Sequence, residues 1–244
     1  MKAEIVKRFS GQCCTIDDIN RFVGSLSTKH SRNTVIWNVN DLVKQGRAIR
    51  VGRGVYEFTQ KPKLQPAISE SARVVCAVLN DGFKYLEFTI TDSYILSQFM
   101  NLQPFSTVVV VETRKSAADA VLSTLRKKGV EAYAKKDFAQ LERYISSRQP
   151  FVIRPELTVN PTLQNVDNIR IANIEKILVD IACDENIYGQ YQGDELKNIY
   201  HNATEKYAIN YSQMLKYAAA RKKKPLILDI LQQTSEYRKV ETLL

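Results

Sequence analysis

Apolar residues recur at helical spacing in the first part of the chain, as Ile5, Val6 and Phe9, then Ile16, Ile19, Phe22, Val23 and Leu26, then Val35, Ile36, Val39, Leu42 and Val43. Each set fills one face and predicts an amphipathic helix. Thr15 followed by Asp18 reads as a capping box at the start of the second, because each side chain can satisfy a backbone N–H that the other residue leaves open. Ser27 to His30 reads as a turn, Ser31 caps the third helix, and Gly46 after Gln45 supplies its stop. Arg47 to Phe58 then places β-rich runs on either side of Gly52-Arg53-Gly54, a hairpin signal because glycine accepts the positive φ of a tight turn.

Lys61-Pro62-Lys63-Leu64-Gln65-Pro66 carries two prolines and reads as a linker. Beyond it the pattern predicts helix over Ser69–Leu79, strand over Lys84–Ile90 and helix over Asp92–Met100. A regular alternation follows: strand Thr107–Glu112, helix Ala117–Lys128 stopped by Gly129, strand Val130–Ala134, helix Phe138–Ile145, strand Phe151–Ile153. Strand-helix-strand-helix-strand at these lengths implies a small parallel sheet with right-handed crossovers. After a loop holding Pro155 and Pro161 the pattern is helical over Ile174–Cys183, Asp194–Tyr207, Tyr211–Ala220 and Leu226–Gln233.

The expected fold is therefore α+β/α/β. Residues 1–63 form a winged helix-turn-helix, and residues 64–244 form an α/β domain with a small, mostly parallel βαβαβ sheet and a C-terminal helical bundle.

Charge sharpens this division. Of the net +9, residues 1–63 hold twelve Lys and Arg against five Asp and Glu, and the rest of the chain is nearly balanced. Positive charge concentrated on a small unit suits a polyanion and points to double-stranded DNA. The apolar stretch Val108–Val111 is the length of a strand and not of a membrane span, and the N-terminus lacks the apolar segment of a signal peptide. A cytoplasmic protein without membrane association is expected. Cys13, Cys14, Cys76 and Cys183 lack zinc-ligand spacing, and no metal or cofactor is expected.

The third helix carries Asn33, Thr34, Trp37, Asn40, Asp41 and Lys44 opposite its apolar face, with Arg32 at the end that enters a major groove first. Asn and Arg can read adenine and guanine edges, whereas Lys and Thr more often hold phosphates. Trp37 is open to two readings, packing against the hairpin or facing DNA. Arg50 and above all Arg53, at the hairpin apex, complete the candidate DNA-binding set.

Catalytic motifs are not apparent. Gly24-Ser25 has no Asp-x-Asp behind it, as a nucleotidyltransferase would need for its two metals, and no phosphate-binding glycine loop or nucleophile elbow occurs. The reading is that of a non-enzyme. The alternative is a DNA-directed nuclease, for which Glu112 at a strand end, with Glu87 or Asp92 as partner, is the candidate acid. Arg221-Lys222-Lys223-Lys224 reads as a solvated loop with accessory phosphate contact as a second possibility.

Two segments resemble the AbiEi-like antitoxins of type IV, abortive-infection toxin-antitoxin systems. One is the Thr34–Gln45 helix leading into Arg50-Val51-Gly52-Arg53-Gly54-Val55-Tyr56. The other is Ile169 to Asp180, which departs from many members in having Lys176 and Ile177 for Arg and Thr. The resemblance implies a bacterial transcriptional autorepressor that binds operator DNA. It also implies opposition to a nucleotidyltransferase toxin without a stable complex between the two. The oligomeric state does not follow from it.

Overall fold

A computed structural model of the chain describes all residues except 27–29, 46, 60, 102–103, 142–144, 146–147, 157–163, 167–168 and 242–244. The expected turn at Ser27–His30, the Gly46 stop, Pro161 and the end of the helix assigned to Phe138–Ile145 fall wholly or partly outside them.

The first elements are α1 (Lys2–Phe9), β1 (Cys13–Thr15), α2 (Ile16–Leu26), α3 (Arg32–Lys44), β2 (Ile49–Gly52) and β3 (Val55–Glu57). The capping box forms reciprocally: Thr15 Oγ1 and N donate to Asp18 Oδ2 at 2.6 and 2.9 Å, and Asp18 N donates to Thr15 Oγ1 at 3.1 Å. Hydrogen bonds from Thr15 hold the Asp18 carboxyl below its ordinary value. Ser31 Oγ accepts from Thr34 N and starts α3. Ile5, Phe9, Ile19, Val23, Val35, Val39, Leu42, Tyr56 and Phe58 share one core. On α3 the buried face differs from the expected one: Asn38 is buried, donating to Thr34 O at 2.7 Å, while Ile36 and Val43 are half-buried.

The strands form an antiparallel sheet of order β1-β3-β2, in which β1 had no counterpart in the sequence reading. At the hairpin only Gly54 takes the left-handed conformation, at φ 73°, while the register shifts between Arg50 and Gly52.

A six-stranded sheet follows, with β4 (Phe88–Asp92), β5 (Val109–Thr113), β6 (Ala132–Ala134), β7 (Phe151–Pro155), β8 (Gln164–Val166) and β9 (Ile169–Ile171) in the order β6-β7-β5-β4-β9-β8. The expected βαβαβ unit is there: β5, β6 and β7 are parallel, connected through α5 (Ala118–Lys127) and α6 (Lys135–Leu141), and Gly129 ends α5's turn at φ 77°. The sheet as a whole is mixed, since β4 runs antiparallel to β5 and β8 antiparallel to β9, with β4–β9 parallel.

Three local expectations need correction. The strand placed at Lys84–Ile90 lies at Phe88–Asp92; Asp92–Met100 holds a 3-10 helix at Ser93–Phe99, started by Asp92 Oδ1 accepting from Tyr94 N; and β8 and β9 were not anticipated as a strand pair.

Alternation along β5 divides two cores. Val109 and Val111 face one with α4 (Glu70–Gly82) and α5, and Val108 and Val110 face another with the C-terminal helices.

Those helices are α7 (Ile174–Cys183), α8 (Glu185–Tyr188), α9 (Asp194–Lys206), α10 (Tyr211–Ala220), α11 (Lys224–Gln232) and α12 (Tyr237–Glu241). Helix α7 is buried from Ile174 through Ala182, as a helix enclosed on every side must be. The same core takes in Ile49 and Val51 of β2, on which α10 packs. The small sheet thus lies between two cores, with Tyr56 in one and Ile49 and Val51 in the other.

The segment read as a linker is a packed strap. Leu64, Pro66 and Ile68 are buried, Pro62 O accepts from Ala208 N at 3.0 Å, and Lys61 Nζ reaches Thr204 O at 2.9 Å and Glu236 Oε1 at 2.8 Å.

Candidate nucleic-acid interface

Asn33, Trp37, Asn40 and Lys44 all lie exposed on α3. At 100° per residue they fall within an arc of about 60°. Trp37 is 64% exposed, and Lys2 Nζ sits 5.1 Å from its ring centroid. Lys2 also pairs with Asp41, whose other neighbour is Gln45 Nε2 at 2.7 Å. The one acid on this side of α3 is therefore neutralised by a cation from α1, which removes the repulsion it would offer a phosphate. Arg32 is exposed at the helix start and pairs with Asp17 at 2.7 Å, a contact that solvent weakens and a stronger anion can replace. Thr34 is half-buried in the α3 cap, with Oγ1 3.0 Å from Ser31 Oγ.

The two hairpin arginines part company. Arg50 donates Nε to Gly52 O at 3.1 Å and lines a cleft of about 300 Å³ with Lys63, Asn173, Glu175 and Gln213. Glu175 accepts from Asn210 N there, and burial raises its carboxyl above the ordinary value. Arg53 is exposed at the tip, facing α10 and α11. The structure thus brings Asn33, Trp37 and Lys44 onto one face with Arg32 at its end, and sets Thr34, Arg50 and Arg53 apart from it.

A second concentration of charge lies under the C-terminal helices. Glu112 on β5 and Arg154 on β7 are register partners, and Arg154 Nη2 reaches Glu112 Oε1 at 2.6 Å and Asp180 Oδ2 at 2.7 Å, while Nη1 reaches Asp184 Oδ2 at 2.5 Å. Lys176 Nζ lies 2.8 Å from Glu112 Oε2 and 2.6 Å from Asp180 Oδ2. Arg221 pairs with Asp180 and, at 2.8 Å, with Asp184; Lys135 joins from the rim at 2.5 Å from Asp184 Oδ1. The Tyr217 hydroxyl donates to Asp180 Oδ1 at 2.8 Å.

Burial alone would raise the Asp180 and Asp184 carboxyls, but Arg154 and Arg221, joined at Asp180 by Lys176, hold both below the usual carboxylate range. Burial would likewise lower Lys176 and Arg154, and Asp180 and Glu112 hold both above their ordinary values. The result is a closed network in which buried carboxylates and buried cations neutralise one another.

Glu112, the acid weighed for nuclease chemistry, is committed to this network. Its suggested partners lie elsewhere: Asp92 accepts from Ser69 N at 2.8 Å at the far end of β4, and Glu87 is 3.4 Å from Arg170. Arg221 is also not the solvated loop residue that the run of four cations suggested. The sequence reading did not gather Arg154, Lys176, Asp180, Asp184 and Arg221. A signal was present in Lys176 and Asp180, an oppositely charged pair four residues apart in a helix whose one other charged residue is Glu175. Burial pushes the thiols of Cys14 and Cys76 up to about 12 and that of Cys183 to about 11.

A family model described as a family of unknown function, DUF6577, matches residues 34–237. The chain belongs to that family. No curated protein matches it. The DUF6577 match begins inside α3, crosses the hairpin and the strap, and ends in α12, so it spans the small sheet's β2 and β3 together with the helices packed on them. Among the described residues no helix is long and apolar enough to cross a membrane.

Proposed function

We propose that this protein is a double-stranded-DNA-binding transcriptional regulator whose winged helix-turn-helix consists of α1, α2, α3 and the β2–β3 hairpin, with α3 as the recognition helix. The observation that carries the reading is the exposed stripe Asn33–Trp37–Asn40–Lys44 on a helix whose opposite face is core, in a segment where cations outnumber acids twelve to five. Lys2 adds support by neutralising Asp41 beside that stripe. The remainder of the chain, by its resemblance to AbiEi-like antitoxins, is assigned the antagonism of a nucleotidyltransferase toxin, exerted without a stable complex.

A nuclease role receives less support. Metal-dependent phosphodiester cleavage needs carboxylates free to hold cations, and those of Glu112, Asp180 and Asp184 already face Arg154, Lys176 and Arg221.

The test is titration of the full chain on duplexes selected from a random pool and on scrambled controls. Asn33→Ala is expected to cost about 1–3 kcal/mol on the selected site and little on the scrambled one, as loss of a base-edge contact should. Absence of duplex binding by the wild type would remove the proposal, and metal-dependent nicking lost in Glu112→Ala would restore the nuclease reading.

A further inference from the structure

The hairpin tip does not project into open solvent. Arg53 forms one wall of a cleft of about 460 Å³ whose other wall includes Ser212 and Lys216 of α10 and Lys224 of α11. Three of its lining side chains are cations, and no carboxylate is among the residues that line it. Lys222 and Lys223, in the turn joining the two helices, are exposed as well. Among the described residues, none of these five cations has an ion-pair partner, although Arg221 immediately before them has two. Lys222 holds the left-handed conformation at φ 57°, which for a side chain other than glycine costs about 1–2 kcal/mol.

Like charges crowded together without counter-charge raise one another's energy, and an external anion relieves this. A single small anion would be held best by buried, converging donors. Here Arg53, Lys216, Lys222 and Lys223 are spread over an exposed surface, which fits the repeated charges of a nucleic-acid backbone.

We propose that Arg53, Lys216 and Lys224, extended by Lys222 and Lys223, form a second phosphate-contact surface, through which the C-terminal helices hold the same duplex that α3 reads. This rests on the proposed DNA binding and extends it to the part of the chain otherwise assigned to the antitoxin role. Both walls of the cleft lie within the matched family region.

The experiment compares the full-length wild type, Lys216→Ala/Lys224→Ala and Asn33→Ala/Trp37→Ala on a duplex of about three helical turns at several salt concentrations, with pyrophosphate as competitor and thermal unfolding as a control. The cleft variant should unfold at the wild-type temperature, lose affinity for selected and scrambled duplexes by equal factors, and flatten the plot of log K against log salt by roughly two units. An unchanged slope in the folded variant overturns the proposal, as does pyrophosphate binding at the cleft that leaves duplex affinity untouched. If only the α3 variant weakens, the cleft proposal falls and the recognition helix stands. If only the cleft variant weakens, the reverse holds. If the wild type binds no duplex, both fall.

Discussion

Arg221 and Lys224 stand three residues apart, at the end of α10 and the start of α11, and belong to opposite electrostatic worlds. The Arg221 guanidinium is bound by Asp180 and Asp184 in a dry network, whereas Lys224 lines an open cleft beside Arg53 and Lys216 with no described carboxylate to meet it. What separates them is the supply of buried acid. The sheet contributes Glu112, which meets Arg154 and Lys176, and α7 and the residue after it contribute Asp180 and Asp184, which both meet Arg221; none of the three lines the cleft. In the first region a cation holds elements together; in the second it is free to meet a partner.

The comparison can be broken most directly at its buried end. Arg154→Met removes the cation that touches Glu112, Asp180 and Asp184 together, leaving buried carboxylates short of charge. Unfolding by urea at neutral pH should show a loss of about 3–5 kcal/mol, against a change within roughly 0.5 kcal/mol for Lys224→Ala. A small loss for Arg154→Met would mean that the network contributes little to holding the fold.

Acid titration tests the same contrast with a smaller effect. Asp180 and Asp184 have folded pKa values below their unfolded ones, so their contribution is present above about pH 4 and is lost as pH falls through the folded values. Lys176, raised, contributes fully below its unfolded value near 10.4 and loses that contribution only as pH rises through its folded one. Glu175 is raised by burial and works in the opposite sense, weakening the fold once pH exceeds its unfolded value. Stability should therefore fall on the acid side by on the order of 2 kcal/mol, and Asp180→Asn should flatten that limb while Lys216→Ala leaves it unchanged.

The smallest effect sharpens the exposed end. Lys223 N donates to Ala218 O and Lys222 N to Ala219 O, a Schellman closure of α10 with lysine where glycine is favoured. Lys222→Gly should gain about 1 kcal/mol in thermal or urea unfolding and weaken duplex binding slightly. A loss of stability would place Lys222 in a contact that the exposed cleft does not suggest.

Much of the fold is local and could be read residue by residue. The Thr15/Asp18 box, the Ser31 cap and the β5-α5-β6-α6-β7 run each depend on neighbours within a few turns of chain. The ionic network does not: Glu112 meets Arg154 across 42 residues, Arg154 meets Asp180 across 26, and Asp180 meets Arg221 across 41. No spacing rule joins such positions, so the sequence pairs Glu112 with Glu87 or Asp92 and leaves Arg221 in a solvated loop.

The strap was misread for a different reason. Its prolines correctly exclude helix, but Leu64, Pro66 and Ile68 are buried while Lys63, Gln65 and Ala67 are exposed, an alternation visible in the chain that marks an extended segment lying on a core. On α3, Asn38 is buried although the apolar pattern does not include it. Its bond to Thr34 O satisfies the amide inside.

The two-faced hairpin has a consequence for how this protein can be divided. Because β2 and β3 give Tyr56 to the N-terminal core and Ile49 and Val51 to the other, a cut after residue 63 would leave Ile49 and Val51 exposed to water, along with the groove on α10 that received them. The N-terminal elements are thus not a detachable cassette. A chimera carrying them onto another body would need α10 as an adaptor, and a change in the body would be transmitted to the hairpin as a shift of its seat. The N-terminal elements and the frame that carries them are machined as one part.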